Sequence, residues 1–198
     1  MTVVGIIAAL AAAYLIGSVS GARVLAGAFA APDIRTLGSG NAGTSNAWRI
    51  GGRGYGAAVL GFDLLKGAVA TGLAAALAPI MPWPAVAGFV AVVGHVWPVF
   101  HGFRGGKGLA TAAGVLVFLA PVVLVTALAV FGATLWARRI VSLASLAALA
   151  VAGSFALLAA FMDGPVRALI GGLCVLLVVT HRENIVRLRL GQEPRIRR

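Results

Sequence analysis

The chain has 198 residues, of which 61% are apolar and 11% are charged, and its mean hydropathy is +1.02. Soluble globular domains carry roughly 25% charged residues, so this composition excludes an ordinary soluble domain and makes a bilayer the natural solvent. Sixteen Lys and Arg against five Asp and Glu leave a net charge of +11; on so apolar a chain this reports membrane topology rather than a nucleic-acid partner, and none is expected.

A membrane helix needs about 20 apolar residues at roughly 1.5 Å of rise each. The first apolar run predicts one helix from residue 3 to about residue 31, interrupted only by Arg23 and the small-residue patch Gly17-Ser18-Val19-Ser20-Gly21. No Lys or Arg precedes Arg23 and the run is too long for a signal-peptide core, so a retained helix is expected. A polar, Gly-rich loop follows over residues 32 to 53. The second helix is predicted from about residue 54 to 78, a turn at Pro79, Pro82 and Pro84, and the third from about 85 to 100. A second Gly-rich, basic segment covers residues 101 to 108. The apolar stretch from 109 to 137, with Pro121 inside it, is long for one span and short for two. The last two helices are predicted from about 140 to 161 and from 165 to 180, and an amphipathic tail runs from 181 to 198. The single cysteine, Cys174, lies in an apolar run, which excludes a disulfide framework and a multi-cysteine metal site.

Charge decides the ambiguous stretch. Read as two short helices turning near Pro121, it brings Arg35, Arg49, Arg53, Arg104, Lys107, Arg138, Arg139 and the six tail arginines to one face, 13 of the 16 basic residues. Read as one span, it divides them. The positive-inside rule then predicts an all-α integral membrane protein of seven transmembrane helices, with the N-terminus outside and the C-terminus cytoplasmic.

Three segments hold most of the polar information. The first contains Gly38-Ser39-Gly40-Asn41-Ala42-Gly43, which satisfies G-x-G-x-x-G, but a dinucleotide fingerprint needs a preceding strand and here a membrane helix precedes it. What remains is an anion-binding concavity: glycines let N–H groups converge, Ser39, Asn41, Thr44, Ser45 and Asn46 add neutral hydrogen-bonding groups, and Arg49 offers a bidentate fork. The second contains Gly105-Gly106-Lys107-Gly108. It is not a Walker A motif, because position 101 is His and position 108 is Gly, yet a Gly-rich nest opening a helix beside an ammonium group suits phosphate. The third begins at the membrane boundary with His181, Glu183 and Asn184. His181 and Asn184 share one helical face, and the arginines at 187, 189, 195, 197 and 198 are expected on anionic headgroups. Within the second helix, Asp63 and Lys66 are expected to form an internal ion pair. Arg23 is expected to snorkel or to line the same cavity, His95 to fix the second loop by a hydrogen bond to backbone, and His101 to do the same or to face water.

These motifs make the chain resemble the acyl-phosphate-dependent glycerol-3-phosphate acyltransferases, the PlsY family of bacterial membrane enzymes. The resemblance runs through Tyr14-Leu15-Ile16-Gly17-Ser18, GSGNAGTSN with Arg49, DLLKG at 63 to 67, GHVWPVF, FRGGKGLAT and HRENIVRLRLGQEPRI. It implies a single acyltransferase domain over residues 1 to 198 in the bacterial inner membrane. The implied reaction moves a fatty acyl group from acyl phosphate to the sn-1 hydroxyl of glycerol 3-phosphate, giving lysophosphatidic acid and phosphate without metal or cofactor. Membrane lipids are the other expected partners, and a monomer is expected. Carried over by motif position, His181, Lys107, Ser39 and Asn184 form the catalytic set. Arg49, Asn41, Ser45, Asn46, Gly105, Gly106, Gly108 and Glu193 form the substrate-binding set. Two departures are visible: Gly43-Thr44-Ser45-Asn46 stands where relatives usually have Gly-Ala-Thr-Asn, and Ser18-Val19-Ser20 replaces Ser-x-Pro, which predicts a straighter first helix.

The chemistry agrees with the residues on their own terms. An acyl phosphate carries a good leaving group, so proximity, worth roughly 7 to 11 kcal/mol, and cations near developing charge supply most of what is needed. There is no His-x4-Asp motif, since positions 100, 106 and 186 are Phe, Gly and Val. The proton can pass to His181 or to the substrate's own phosphate, and His181 is expected to position rather than deprotonate. A transporter for an anionic metabolite is the competing class, but the chain shows no internal repeat. A lipid-binding scaffold would explain the tail and not the two Gly-rich loops.

Overall fold

The computed structural model describes residues 2–34, 36–160 and 162–196, and these form helices and no strand. Arg35, Arg197 and Arg198, counted above on the basic face, and Phe161, at the expected end of the sixth helix, lie outside the described residues. Two compact units divide the chain, Met1–Phe118 and Leu119–Arg198. The first contains α1 (Val3–Ser18), α2 (Gly21–Ala26), α3 (Thr44–Leu77), α4 (Trp83–Val96), a single 3-10 turn at Val99–His101 and nearly all of α5 (Leu109–Leu119). The second contains α6 (Pro121–Arg138), α7 (Val141–Leu158), α8 (Gly164–Thr180) and α9 (Arg182–Arg189).

Among the described residues, four helices are long and apolar enough to cross a membrane: Thr44–Leu77, Trp83–His101, Pro121–Arg138 and Val141–Leu158. A fifth is added if α8 and α9, bent by 58° at His181, make one span. Helices α1 and α5 are apolar but shorter. The break expected at Pro121 is present: α5 stops at Leu119, Ala120 leaves helical geometry and Pro121 opens α6, where its missing N–H costs nothing.

Two expectations are corrected. The first helix is neither continuous to residue 31 nor straighter for lacking proline. Helical geometry stops at Ser18, and Val19 and Ser20 are extended before α2 begins. The reason is polar: the freed Val19 carbonyl accepts a 2.7 Å hydrogen bond from Lys66 Nζ, and Ser18 Oγ accepts from the Val99 amide at 3.4 Å. A broken helix in an apolar medium needs such partners. The loop over residues 32 to 53 is also shorter than predicted, because α3 begins at Thr44. Gly51 and Gly52 fall in the stretch read as loop, but only Gly52 departs from helical geometry, at φ 80°, where it kinks α3.

The helices of the first unit approach backbone to backbone through small residues. A Cβ on Gly17 would lie 2.1 Å from the Ala91 carbonyl oxygen, joining α1 to α4, and one on Gly67 would lie 2.1 Å from that of Thr111, joining α3 to α5. Beside the first polar loop, Tyr55 and Val59 of α3 bury with Ala22, Ile34, Ala42 and Ala47. Tyr55 Oη donates to the Ala22 carbonyl, anchoring α2 to α3. In the second unit, Arg167 of α8 caps the end of α7, its Nε donating to the Ala156 carbonyl at 3.2 Å. The tail returns to the start of α7, where the Ile196 amide donates to the Arg139 carbonyl at 2.8 Å.

Candidate active site

The first polar loop is organised around Asn46, which lies in the first turn of α3 and is buried. Its Nδ2 donates to the Ile34 and Leu37 carbonyls at 3.1 and 3.0 Å, and its Oδ1 accepts from the Ser39 amide at 3.0 Å. These bonds hold the Ile34 and Leu37 carbonyls and the Ser39 amide on one carboxamide. Gly38 is required beside it: its φ is 63°, and a Cβ there would lie 2.2 Å from Asn46 Oδ1. Arg49, one helical turn on, rests its Nη2 on Ser39 Oγ at 3.3 Å and on Asn46 Oδ1 at 3.4 Å. The structure thus brings Ser39, Asn46 and Arg49 together. Asn46 spends its polar atoms on the loop, while Ser39 and Arg49 are exposed at its surface. Asn41 and Ser45 are half-buried on the same segment.

The second loop departs from the expected nest. The Gly105 amide donates to the Val96 carbonyl at 3.1 Å and the Gly106 amide to the His95 carbonyl at 3.2 Å. Two of the N–H groups expected to face an anion are therefore spent on the end of α4. What the glycines provide is close approach: a Cβ on Gly105 would lie 1.9 Å from the His95 carbonyl oxygen, and one on Gly106 would lie 2.2 Å from His95 Nε2. Lys107 follows, half-buried, and Gly108, at φ 90°, leads into α5.

Behind this loop lies the expected intramembrane pair, with Lys66 Nζ 3.0 Å from Asp63 Oδ1. The His95 ring joins it, Nδ1 standing 3.6 Å from the same oxygen. His95 meets its expectation through its backbone carbonyl, which takes the Gly106 amide, while the role of its ring was not foreseen. Arg23 Nη1 lies 3.2 Å from His101 Nδ1, so both groups are used within the first unit.

The third motif sits at the bend between α8 and α9. His181 caps both helices and is buried, and its Nδ1 lies 2.7 Å from the Leu177 carbonyl oxygen. Because a carbonyl only accepts, Nδ1 carries a proton. Asn184, one turn on and also buried, donates from Nδ2 to Glu193 Oε1 at 2.6 Å, and Arg187 Nε donates to Oε2 at 2.7 Å. An ionised carboxylate cannot donate, so Glu193 turns the Asn184 amide NH2 toward itself. Burial alone would raise the Glu193 carboxyl; the bonds from Asn184 and Arg187, the nearby Ser142 hydroxyl and the guanidinium charge outweigh it and hold the group below its ordinary value. Arg187 is thus taken up by an ion pair inside the motif, a correction to its placing on lipid headgroups.

The pairing of Arg187 with Glu193 was missed because it depends on the reversal at Gly191, φ 68°, and the participation of Ser142 because that residue is distant in sequence. The His95 ring was missed because its partners come from α3 and from a loop ten residues later. Its proximity to Gly105-Gly106 in sequence was the available signal. Among the described residues, no group of three or more His, Cys, Asp or Glu side chains gathers as a metal site.

The family model described as glycerol-3-phosphate acyltransferase matches residues 7–191. The chain is 42% identical over 190 residues to glycerol-3-phosphate acyltransferase 1 of Deinococcus radiodurans, covering 95% of this chain and 94% of that protein. It is 37% identical over 187 residues to the glycerol-3-phosphate acyltransferase of Bacillus subtilis strain 168, covering 93% and 94%. It is also similar to the crystal structure of PlsY, an integral membrane glycerol 3-phosphate acyltransferase, in its glycerol 3-phosphate form. That likeness has a TM-score of 0.90 and 36% identity, over 97% of this chain and 96% of the other. The chain belongs to the glycerol-3-phosphate acyltransferase family.

Proposed function

We propose that this protein is a single-domain enzyme of the bacterial inner membrane that moves a fatty acyl group from acyl phosphate to the sn-1 hydroxyl of glycerol 3-phosphate. The family match across residues 7–191, which runs through both compact units, supports the single domain. In the reaction the sn-1 oxygen bonds to the carbonyl carbon, the carbon–oxygen bond to phosphate breaks, and the hydroxyl proton is taken up by phosphate. The products are lysophosphatidic acid and inorganic phosphate, the first acylation of phospholipid synthesis, and the protein acts as a monomer. Both substrates are anions, so cations at fixed positions lower the cost of bringing them together and stabilise charge as phosphate departs.

The observation that carries this reading is the Arg49 guanidinium, aimed by Ser39 and Asn46 from a loop that Asn46 itself holds closed. A guanidinium fixed this way meets a phosphate with its orientation already set. Lys107 supplies the second cation, and Ser39, Asn41 and Ser45 supply neutral hydrogen-bonding groups. Asn46, Gly105, Gly106 and Gly108 shape the loops that carry these side chains. His181, its ring oriented by the Leu177 carbonyl, positions the substrate rather than deprotonating it. Asn184 contributes a carboxamide whose orientation Glu193 sets. Helices α3, α4, α6, α7 and α8, with the shorter α1 and α5, make seven crossings.

The decisive assay follows phosphate release from a long-chain acyl phosphate by the purified protein in detergent. Release that requires glycerol 3-phosphate and yields lysophosphatidic acid acylated at the sn-1 oxygen is expected. No release, or turnover with acyl-CoA in place of acyl phosphate, would overturn the donor assignment, and glycerol phosphate flux into sealed vesicles without acylation would overturn the enzyme assignment.

A further inference from the structure

His95 stands at the junction of two buried systems. One edge of its ring faces the Asp63 carboxylate, Nδ1 to Oδ1 at 3.6 Å. That carboxylate is fixed by Lys66 at 3.0 Å, and Lys66 is fixed in turn by the Val19 carbonyl at 2.7 Å. All three side chains are about nineteen-twentieths buried or more, at 1% to 5% exposure. The opposite edge of the ring, at Nε2, is where a Gly106 Cβ would be placed, 2.2 Å away. The His95 backbone carbonyl binds the Gly106 amide, so ring and carbonyl grip one peptide from two directions. Lys107 is the next residue.

From this geometry we infer that His95, oriented by Asp63 and Lys66, is a positioning residue that sets the height and direction of the second loop and thereby aims Lys107 at the substrate anion. The inference rests on the reading of Lys107 as an anion-handling residue. A wedge of this kind acts through placement: a ring held rigidly at one edge fixes whatever backbone packs on the other, because packed interiors transmit displacement rather than absorb it. The absence of a side chain at residue 106 is therefore matched to the presence of an imidazole at residue 95. Lys107 is displaced if either partner changes alone.

The test is a double-mutant cycle between the two partners, with glycerol 3-phosphate KM, kcat and thermal midpoint measured for each protein. His95→Asn keeps a polar atom near the Nδ1 position facing Asp63 and removes the part of the ring that faces Gly106. Gly106→Ala adds the methyl that collides with the intact ring. Groups in direct contact couple by a factor of roughly 2 to 150. Gly106→Ala alone is expected to raise KM by at least about tenfold with a much smaller effect on kcat, and in the His95→Asn background the same methyl is expected to raise KM by less than about threefold. Equal effects of the methyl in both backgrounds would overturn the inference. So would a His95→Asn protein with a lowered thermal midpoint and an unchanged KM, which is what a merely structural histidine would give. The unaltered protein is the control for the underlying reading: turnover there with equal methyl effects removes the role of His95 alone, whereas no turnover with acyl phosphate removes both.

Discussion

Glu193 holds two partners at once, Asn184 on one oxygen and Arg187 on the other, and its side chain is 8% exposed. An ionised carboxylate buried to this degree needs partners of this kind to offset its lost hydration. Its depressed proton affinity fixes the sign of a pH effect. A group whose folded value lies below its unfolded value contributes stability above the unfolded value and loses it as pH falls through the folded one. The pairing is therefore complete at neutral pH and is lost below the ordinary glutamate value of 4.5. The Ile196 amide, bound to the Arg139 carbonyl three residues beyond Glu193, reports on it. Its hydrogen-exchange protection factor is expected to fall as pH is lowered below 4.5 in the unaltered protein and to show no such fall in Glu193→Gln. An acid-sensitive Ile196 amide in the variant would remove Glu193 as the cause. Asn184 was recognisable from its place one turn after His181. Its orientation was not, because the carboxylate that sets it arrives only after the chain reverses at Gly191.

At the scale of elements, the break between α1 and α2 and the charged turn of α3 depend on each other. Val19 presents a carbonyl that no helix satisfies, Asp63 presents a buried negative charge, and Lys66 meets both. The i, i+3 spacing of Asp63 and Lys66 made the pair legible in the sequence. The broken helix was not, because the small-residue patch at residues 17 to 21 was read as part of one run and the partner that stabilises the break lies on another helix. In the same way, the early start of α3 was obscured by Gly51 and Gly52, which end a polar, Gly-rich stretch although only Gly52 leaves helical geometry. Lys66→Met is expected to destabilise the fold by about 3 to 5 kcal/mol, the cost of leaving one member of a buried pair alone. A clear fall in the thermal midpoint of detergent-solubilised protein checks this. An unchanged midpoint would show that neither Asp63 nor the Val19 carbonyl depends on the ammonium group.

Across the whole molecule, apolar composition made the helices legible, because it is a property of long stretches rather than of contacts, and the expected orientation rests on the basic residues in the same way. The contested stretch after residue 108 illustrates the division. Its length alone did not choose between one crossing and two, whereas Pro121 marks the break that separates α5 from α6. The proposed count takes α5 and α6 as separate crossings beside α1, α3, α4, α7 and α8, seven in all, and an odd number would place the termini on opposite sides. With that count goes the expectation, from the arginines after residue 180, of a cytoplasmic C-terminus. Cysteine accessibility tests this, because the single native Cys174 can be replaced by Ser and new cysteines added one at a time. Thr2→Cys is expected to react with a membrane-impermeant maleimide in intact cells. Gln192→Cys is expected to react only after the membrane is permeabilised. Labelling of both from the same side would mean an even number of crossings. The first helix, or one of the two that meet at Pro121, would then have to leave the count.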